Sequence, residues 1–169
     1  FLDVALAMEP KEKGLLRGNF ERPKKYLVDK LMTQRMFIMA VPMMIGTLFL
    51  FKGYFSAGGG SALGGENDLV KAWTISLTTL AVFQWFNAWN CRSESKSIFQ
   101  MNPFSNKFLV GATAIVIFLQ FAALHTSFLQ KVLHTIPLSL SEWLIIIPIA
   151  GSIILVEEIR KFFYRRKLI

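Results

Sequence analysis

Two side-chain amides, Gln84 and Asn87, lie three residues apart in the uncharged and mostly apolar stretch 72–91. As a helix, about 20 such residues cross a bilayer. At about 100° per residue, both amides share one face with the polar side chains Ser76, Thr79, Asn90 and Cys91. Polar groups at membrane depth turn toward a bundle interior or an aqueous cavity and often mark an ion or substrate path. Their oxygens suit hard cations such as Ca²⁺ or Mg²⁺, although two neutral amides alone would bind a divalent ion weakly.

The same polar side chains also have a purely structural interpretation. In it, Gln84, Asn87 and Asn90 only bond neighbouring helices, each bond contributing about 0.6–2 kcal/mol. Asp3, inside the apolar opening of the chain, poses the same question. It is either a functional carboxylate near an ion path or an acidic residue that reaches the membrane interface. The residues alone leave both interpretations open.

The elements that would position these side chains are apolar stretches separated by polar connections. Of the 169 residues, 53% are hydrophobic, and the mean hydropathy is positive, which is too apolar for a soluble domain of this size. We therefore predict an all-α membrane protein, a helical bundle of four complete transmembrane helices plus the end of a fifth. The four complete spans are residues 36–55, 72–91, 108–128 and 143–158. The chain, residues 1–169, would form one membrane domain that comprises the truncated helix 1–10, a cytoplasmic loop 11–35, these spans and a cytoplasmic tail 159–169.

The positive charges are distributed unevenly along this plan. Sixteen of the 19 lysines and arginines flank the spans on one side, and only Lys52, Lys71 and Lys131 lie on the other. Cytoplasmic loops carry such an excess, so both ends are predicted to be cytoplasmic. The net charge of +8 does not indicate nucleic acid, because the basic residues flank apolar runs and no nucleic-acid-binding pattern accompanies them. Membrane lipid is the predicted partner, and the protein is an integral, multi-pass one.

Motifs of enzymatic chemistry are missing from this sequence. It contains no Gly-rich phosphate loop, no catalytic Ser/His/Asp set and no Cys/His metal cluster. We therefore expect no catalytic residue and no bound cofactor in this chain. It opens on apolar residues without an initiator Met and is expected to be the C-terminal portion of a longer protein.

Three segments resemble P-type cation ATPases of the calcium-pump group. FLDVALAMEP, at 1–10, is similar to the P-A-x-A-L-x-x-E-P that follows the T-D-G of their sixth helix. FNAWNCRSESKSIFQMNPFSNKFL, at 86–109, resembles their eighth-helix signature, in which F-N-A-L-N-C-R-S precedes N-P-x-x-N. LSLSEWLIIIPIAGSIILVEEIRK, at 138–161, resembles their tenth helix, from L-x-x-x-E-W to E-E-I-R-K. The resemblance covers nearly the whole chain in the right order.

The resemblance implies that the chain is the end of the sixth helix plus helices seven to ten of such a pump. ATP and Mg²⁺ would then act in the full-length protein, where a cytoplasmic domain is phosphorylated, and Ca²⁺ would be the transported cation. Gln84 matches the position at which muscle-type calcium pumps place a glutamate ligand, and bacterial relatives resemble this chain in having glutamine there. Leu2-Asp3 replaces the usual Pro-Ala. The implied location is a prokaryotic plasma membrane.

The resemblance also implies partners within the same polypeptide. These are the upstream transmembrane helices and the cytoplasmic phosphorylation domain, which the loop 11–35 would contact. The competing interpretation is a free-standing four-helix membrane scaffold or accessory subunit with no transport chemistry of its own. An upstream reading frame with an Asp-Lys-Thr-Gly phosphorylation motif would favour the pump, whereas a frame that starts near Phe1 would favour the scaffold.

Overall fold

Helices joined by turns and short connections make up the residues that the structure describes, and no strand is among them. A computed structural model describes residues 2–10, 30–57, 66–93 and 96–167. These contain six α-helices: α1 (Leu2–Leu6), α2 (Lys30–Ala57), α3 (Glu66–Asn90), α4 (Lys107–His125), α5 (Ser127–Leu133) and α6 (Leu140–Lys167). Two short 3₁₀ turns, Ile98–Gln100 and Pro103–Ser105, lie between α3 and α4. The predicted all-α membrane bundle is confirmed, while most of the predicted loop 11–35 falls outside the described residues.

Three of the described helices are long and apolar enough to cross a membrane. These are the stretches Met32–Ser56, Lys107–His125 and Leu140–Arg166. Helix α3 has 25 residues, about 37 Å at 1.5 Å per residue, which is also long enough. Its hydropathy is lower because amides, hydroxyls and indoles interrupt its apolar residues. The passage of α3 through the membrane, and with it the count of four complete spans, stays a prediction.

The helices extend beyond the apolar runs that predict them. Helix α2 begins at Lys30, inside the predicted loop, and α6 continues to Lys167, through most of the predicted tail. Lysine and arginine are good helix formers, so the backbone stays helical where the apolar run ends. The third predicted span is shorter than expected, because α4 ends at His125 and Thr126 adopts an extended backbone.

Helix α3 lies at the centre of the described bundle. It packs against α2 and α6 along its length and also touches α1 and α4. Its Phe83 is fully buried beside Gly46 of α2, where a Cβ atom would come within 2.9 Å of the phenyl ring. The absence of a side chain at Gly46 therefore permits the close approach of α2 and α3. The remaining core side chains include Ile75, Val82, Ile146 and Ile153.

The start of α6 is capped by the Glu142 side chain. The backbone N–H and the hydroxyl of Ser139 donate to Glu142 Oε2 at 2.6 and 2.9 Å. This places a glutamate three residues after a serine at a helix start, the arrangement of a capping box. Lys71 of α3 forms a salt bridge with Glu142 Oε1 at 2.7 Å. The same carboxylate therefore caps α6 and ties it to α3.

Candidate cation site

One cavity brings together all three residues that the sequence singled out for cation binding. Its volume is about 290 Å³, and α1, α3 and α4 enclose it. Asp3 comes from α1, while Gln84 and Asn87 come from α3. The rest of its lining consists of Leu2, Leu6, Ala88, Cys91 and Val116. The two amides three residues apart therefore share the cavity with α1 and its Asp3 carboxylate.

Among the described residues, the two cavity amides make only weak contacts with sulfur atoms. Gln84 is exposed, and its amide nitrogen donates to the Met43 sulfur at 3.9 Å. The Asn87 carbonyl oxygen accepts from the Cys91 thiol at 4.0 Å. Thioethers and thiols are weak hydrogen-bonding groups. Within the described part of the chain, neither amide makes a strong interhelical hydrogen bond of the kind that the structural interpretation requires.

Asn90, by contrast, fulfils the structural interpretation. Its side chain is fully buried, and its amide nitrogen donates to the Ile153 carbonyl of α6 at 3.3 Å. About three and four turns closer to the α3 N-terminus, Thr79 and Ser76 donate to carbonyls of their own helix. The polar face of α3 is thus divided into structural positions and two positions that line the cavity.

The cavity does not hold a complete ligand set of its own. Among the described residues, no three His, Cys, Asp or Glu side chains are grouped so that they could hold a metal ion. Asp3 supplies the only carboxylate among the described residues that line the cavity, and it is exposed. The described residues therefore offer one carboxylate and two amide oxygens to a cation.

The position of α1 beside this cavity depends on a clamp at its C-terminal end, which we call the Arg92 clamp. Arg92 donates to both carboxylate oxygens of Glu9 at 2.7 to 3.1 Å. The Asn106 amide, at the start of α4, donates to Glu9 Oε2 at 2.8 Å and to the Ala5 carbonyl at 3.0 Å. Ser105 Oγ accepts from Arg92 at 2.6 Å. Three chain segments thus meet on the Glu9 carboxylate.

The protonation of Glu9 follows from these contacts. Partial burial by itself would raise the pKa of the Glu9 carboxyl. Hydrogen bonds from Arg92 and Asn106, together with the Arg92 charge, outweigh burial and hold that pKa below its ordinary value of 4.5. The carboxylate is therefore ionised at neutral pH and keeps the Arg92 clamp closed.

A second junction ties the C-terminal end of α3 to α2 and α6. The Asn90 main-chain carbonyl accepts from Arg35 of α2 at 3.3 Å and from Lys161 of α6 at 3.1 Å. Cations at a helix C-terminus satisfy the last carbonyls and oppose the negative end of the dipole. The fully buried Glu157 carboxylate offsets part of this positive charge through ion pairs with Arg35 and Arg160, at 2.9 and 2.8 Å. This carbonyl is the acceptor of a three-helix junction.

Sequence reasoning did not predict these two junctions. The sequence motifs contain Glu9, Arg92 and Asn106 but indicate no partner for any of them. The one signal in the sequence that could have pointed to these residues is their place in the segments that carry the resemblance. They are the E of E-P, the R of C-R-S and the last N of N-P-x-x-N. The structure shows that these separate motifs contact one another.

Comparison with known proteins identifies the family of this chain. Residues 1–163 match the family described as "Cation transporting ATPase, C-terminus". The chain belongs to this family. It is similar to calcium-transporting ATPase 4, endoplasmic reticulum-type, of Arabidopsis thaliana, with 38% identity over 57% of this chain and 9% of that protein. It is also similar to calcium-transporting ATPase 1 of Saccharomyces cerevisiae, with 27% identity over 96% of this chain and 16% of that protein.

A third relative is the calcium-transporting ATPase of Plasmodium falciparum, which is 35% identical over 68% of this chain and 9% of its own length. The chain thus spans less than a fifth of the length of the curated relatives that it matches. It corresponds to a C-terminal part of a larger cation-transporting ATPase.

Proposed function

We propose that this chain is the C-terminal membrane part of an ATP-driven P-type pump whose transported cation is Ca²⁺. It braces the transport core and contributes an ion ligand from α3, namely Gln84. The observation that carries this proposal is the cavity in which Gln84 and Asn87 meet the carboxylate-bearing helix α1. ATP and Mg²⁺ act on the full-length protein, in domains that precede this chain.

The chemistry of the cavity assigns a role to each group. The Gln84 carbonyl oxygen is the main ligand, and Asn87 and Asp3 are secondary candidates in the same lining. Ca²⁺ takes 6–8 oxygen ligands, so the upstream helices must supply the rest. A neutral glutamine binds a divalent cation less tightly than a glutamate, because ligand charge tunes affinity. The site would therefore carry little negative charge, and helices of the upstream part of the protein would supply its remaining ligands.

The test is the ATPase activity of the full-length protein, titrated with Ca²⁺, Mg²⁺, Mn²⁺ and Na⁺, with vanadate as inhibitor. We expect vanadate-sensitive stimulation by Ca²⁺. In Gln84→Leu, the half-saturating Ca²⁺ concentration should rise by about tenfold or more, since even outer-shell changes cost 10–100-fold in metal affinity. Gln84→Glu should lower that concentration, because it adds a charged ligand.

Gln120→Leu is the matched control. This glutamine lies on α4 and donates to Thr78 at 3.1 Å, outside the cavity lining. Its removal should leave the half-saturating Ca²⁺ concentration unchanged. An unchanged Ca²⁺ affinity in Gln84→Leu would refute the ligand assignment. Absence of stimulation by any cation would favour the alternative of a membrane scaffold without transport chemistry.

We further propose that both ends face the cytoplasm, in a prokaryotic plasma membrane. The uneven distribution of lysine and arginine between the two sides of the membrane supports the orientation. The prokaryotic location rests on the resemblance to bacterial pumps alone, since the relatives named above are eukaryotic. Reporter fusions in the predicted outside connections and at the C-terminus test the orientation. A C-terminal reporter that is active only outside the cytoplasm would overturn it.

A further inference from the structure

A second cavity lies between α2 and α6, at the end of the bundle where the charge asymmetry places the cytoplasm. Its volume is about 500 Å³. Its lining consists of Gln34, Arg35, Ile38, Arg160, Phe163, Tyr164 and Arg166. It is separate from the candidate cation site, with which it shares no lining residue.

The electrostatic character of this cavity is strongly positive. Three guanidinium groups line it, and no carboxylate is among its described lining residues. The buried Glu157 carboxylate is bonded to both Arg35 and Arg160, so one negative charge is shared by two positive ones. Arg166 adds a third positive charge, and its guanidinium lies 4.4 Å from the ring centre of Phe162. The cluster therefore has an excess of about two positive charges at neutral pH.

An apolar surface continues from this charged cavity toward the membrane-spanning part of α2. An adjoining hollow of about 610 Å³ is lined by Thr33, Gln34, Phe37 and Ile38. Gln34 and Ile38 line both spaces. The Phe37 and Phe163 side chains are each more than half exposed. A basic pocket and an apolar groove thus meet near the start of the apolar stretch Met32–Ser56, where we expect the membrane surface.

We propose that this cavity binds the phosphate-bearing headgroup of an anionic phospholipid from the cytoplasmic leaflet. Guanidinium forks match phosphate oxygens in bidentate geometry, and basic pockets between transmembrane helices on the cytoplasmic side bind lipid headgroups. The adjoining hollow accommodates an acyl chain, which distinguishes a lipid from free phosphate. This site goes beyond the transport function, since it assigns a lipid ligand to the α2–α6 interface.

The experiment uses the full-length protein in detergent, titrated with phosphatidylglycerol or phosphatidylcholine, with native mass spectrometry to count retained lipid. We expect preferential retention of phosphatidylglycerol. Arg166→Gln should weaken it about fivefold, which corresponds to about 1 kcal/mol per basic residue at an anionic surface. Arg166→Lys should restore part of it. Arg166 is the chosen position because its replacement leaves the two bonds to buried Glu157 in place.

Arg165→Gln is the control, because it removes the same charge one residue away, at a position that does not line the cavity. Retention of phosphatidylglycerol should be nearly unchanged in it. Equal losses in both variants would overturn the site in favour of diffuse surface attraction. Equal retention of the two lipids by the wild type would also overturn it. Competition by inorganic phosphate as strong as that by phosphatidylglycerol would identify a phosphate site and refute the lipid assignment.

Discussion

Replacing Arg92 with alanine should open the Arg92 clamp and destabilise the protein. The substitution removes three hydrogen bonds to the Glu9 carboxylate and those to Ser105 Oγ and the Asn102 carbonyl. The Arg92 side chain is 1% exposed, so its pairing is almost fully desolvated. Loss of one partner from a buried ion pair costs about 3–5 kcal/mol. Because Glu9 is 21% exposed and keeps Asn106, we expect about 3 kcal/mol, the lower end of that range.

A double-mutant cycle with Glu9→Gln isolates the pair. The unfolding free energy of the full-length protein is measured by denaturation in mixed micelles and followed by tryptophan fluorescence. Trp89 is a local reporter, because its ring centre lies 5.4 Å from the Arg92 guanidinium. The coupling energy should be about 1.5–3 kcal/mol, as for hydrogen bonds to charged groups. Effects that add to within about 0.5 kcal/mol would show that the two residues do not act together and would refute the clamp.

The same clamp predicts a pH dependence with a definite sign. The pKa of Glu9 is lowered below 4.5 in the folded protein, so the unfolded chain binds more protons at pH values between the two pKa values. Stability therefore rises with pH in this window. The contribution of the pair is complete above pH 4.5 and is lost as the pH falls through the lowered pKa. In Arg92→Ala this dependence should become shallower, and an identical pH profile would contradict the assignment.

Two further substitutions test the packing and the cap of α6 in the same unfolding assay. Gly46→Ala should cost about 1–3 kcal/mol, as overpacking does, because the new Cβ would come within 2.9 Å of Phe83. Gly53→Ala is its matched control, with nothing within 4 Å, and should be neutral or stabilising by about 0.5–1 kcal/mol; equal losses in both would contradict the packing argument. Glu142→Gln should cost about 1–3 kcal/mol by weakening charge-assisted bonds to Lys71 and Ser139, and full stability would show that this cap is dispensable.

The parts of the fold that are predictable from the sequence are those set by local pattern. Apolar runs identify the helices, and the serine and glutamate at 139 and 142 identify the start of α6, because a capping box needs only four consecutive residues. The ends of α2 and α6 were not predictable in this way. The end of an apolar run indicates where a helix would leave the membrane and not where the helix ends. Lysine and arginine are good helix formers, so the helix continues beyond the apolar run.

The candidate site was predictable only in part, for a non-local reason. Periodicity puts Gln84, Asn87 and Asn90 on one face of α3, and their chemistry is nearly the same. Only the packing of α6 against the last turn, with the Ile153 carbonyl at 3.3 Å, gives Asn90 a structural role. The pairing of Glu9 with Arg92 joins residues 83 positions apart, and no short-range pattern encodes it.

The three-helix junction at the end of α3 has an acceptor that no particular amino acid encodes. The oxygen that accepts hydrogen bonds from Arg35 and Lys161 belongs to the main chain, so it is present whichever residue occupies position 90. A mutation there changes a side chain and leaves the junction's oxygen in place. The contacts of this carbonyl can therefore be lost only by mutation of the two donors, which lie on separate helices, and the loss of either leaves the carbonyl with a single cation.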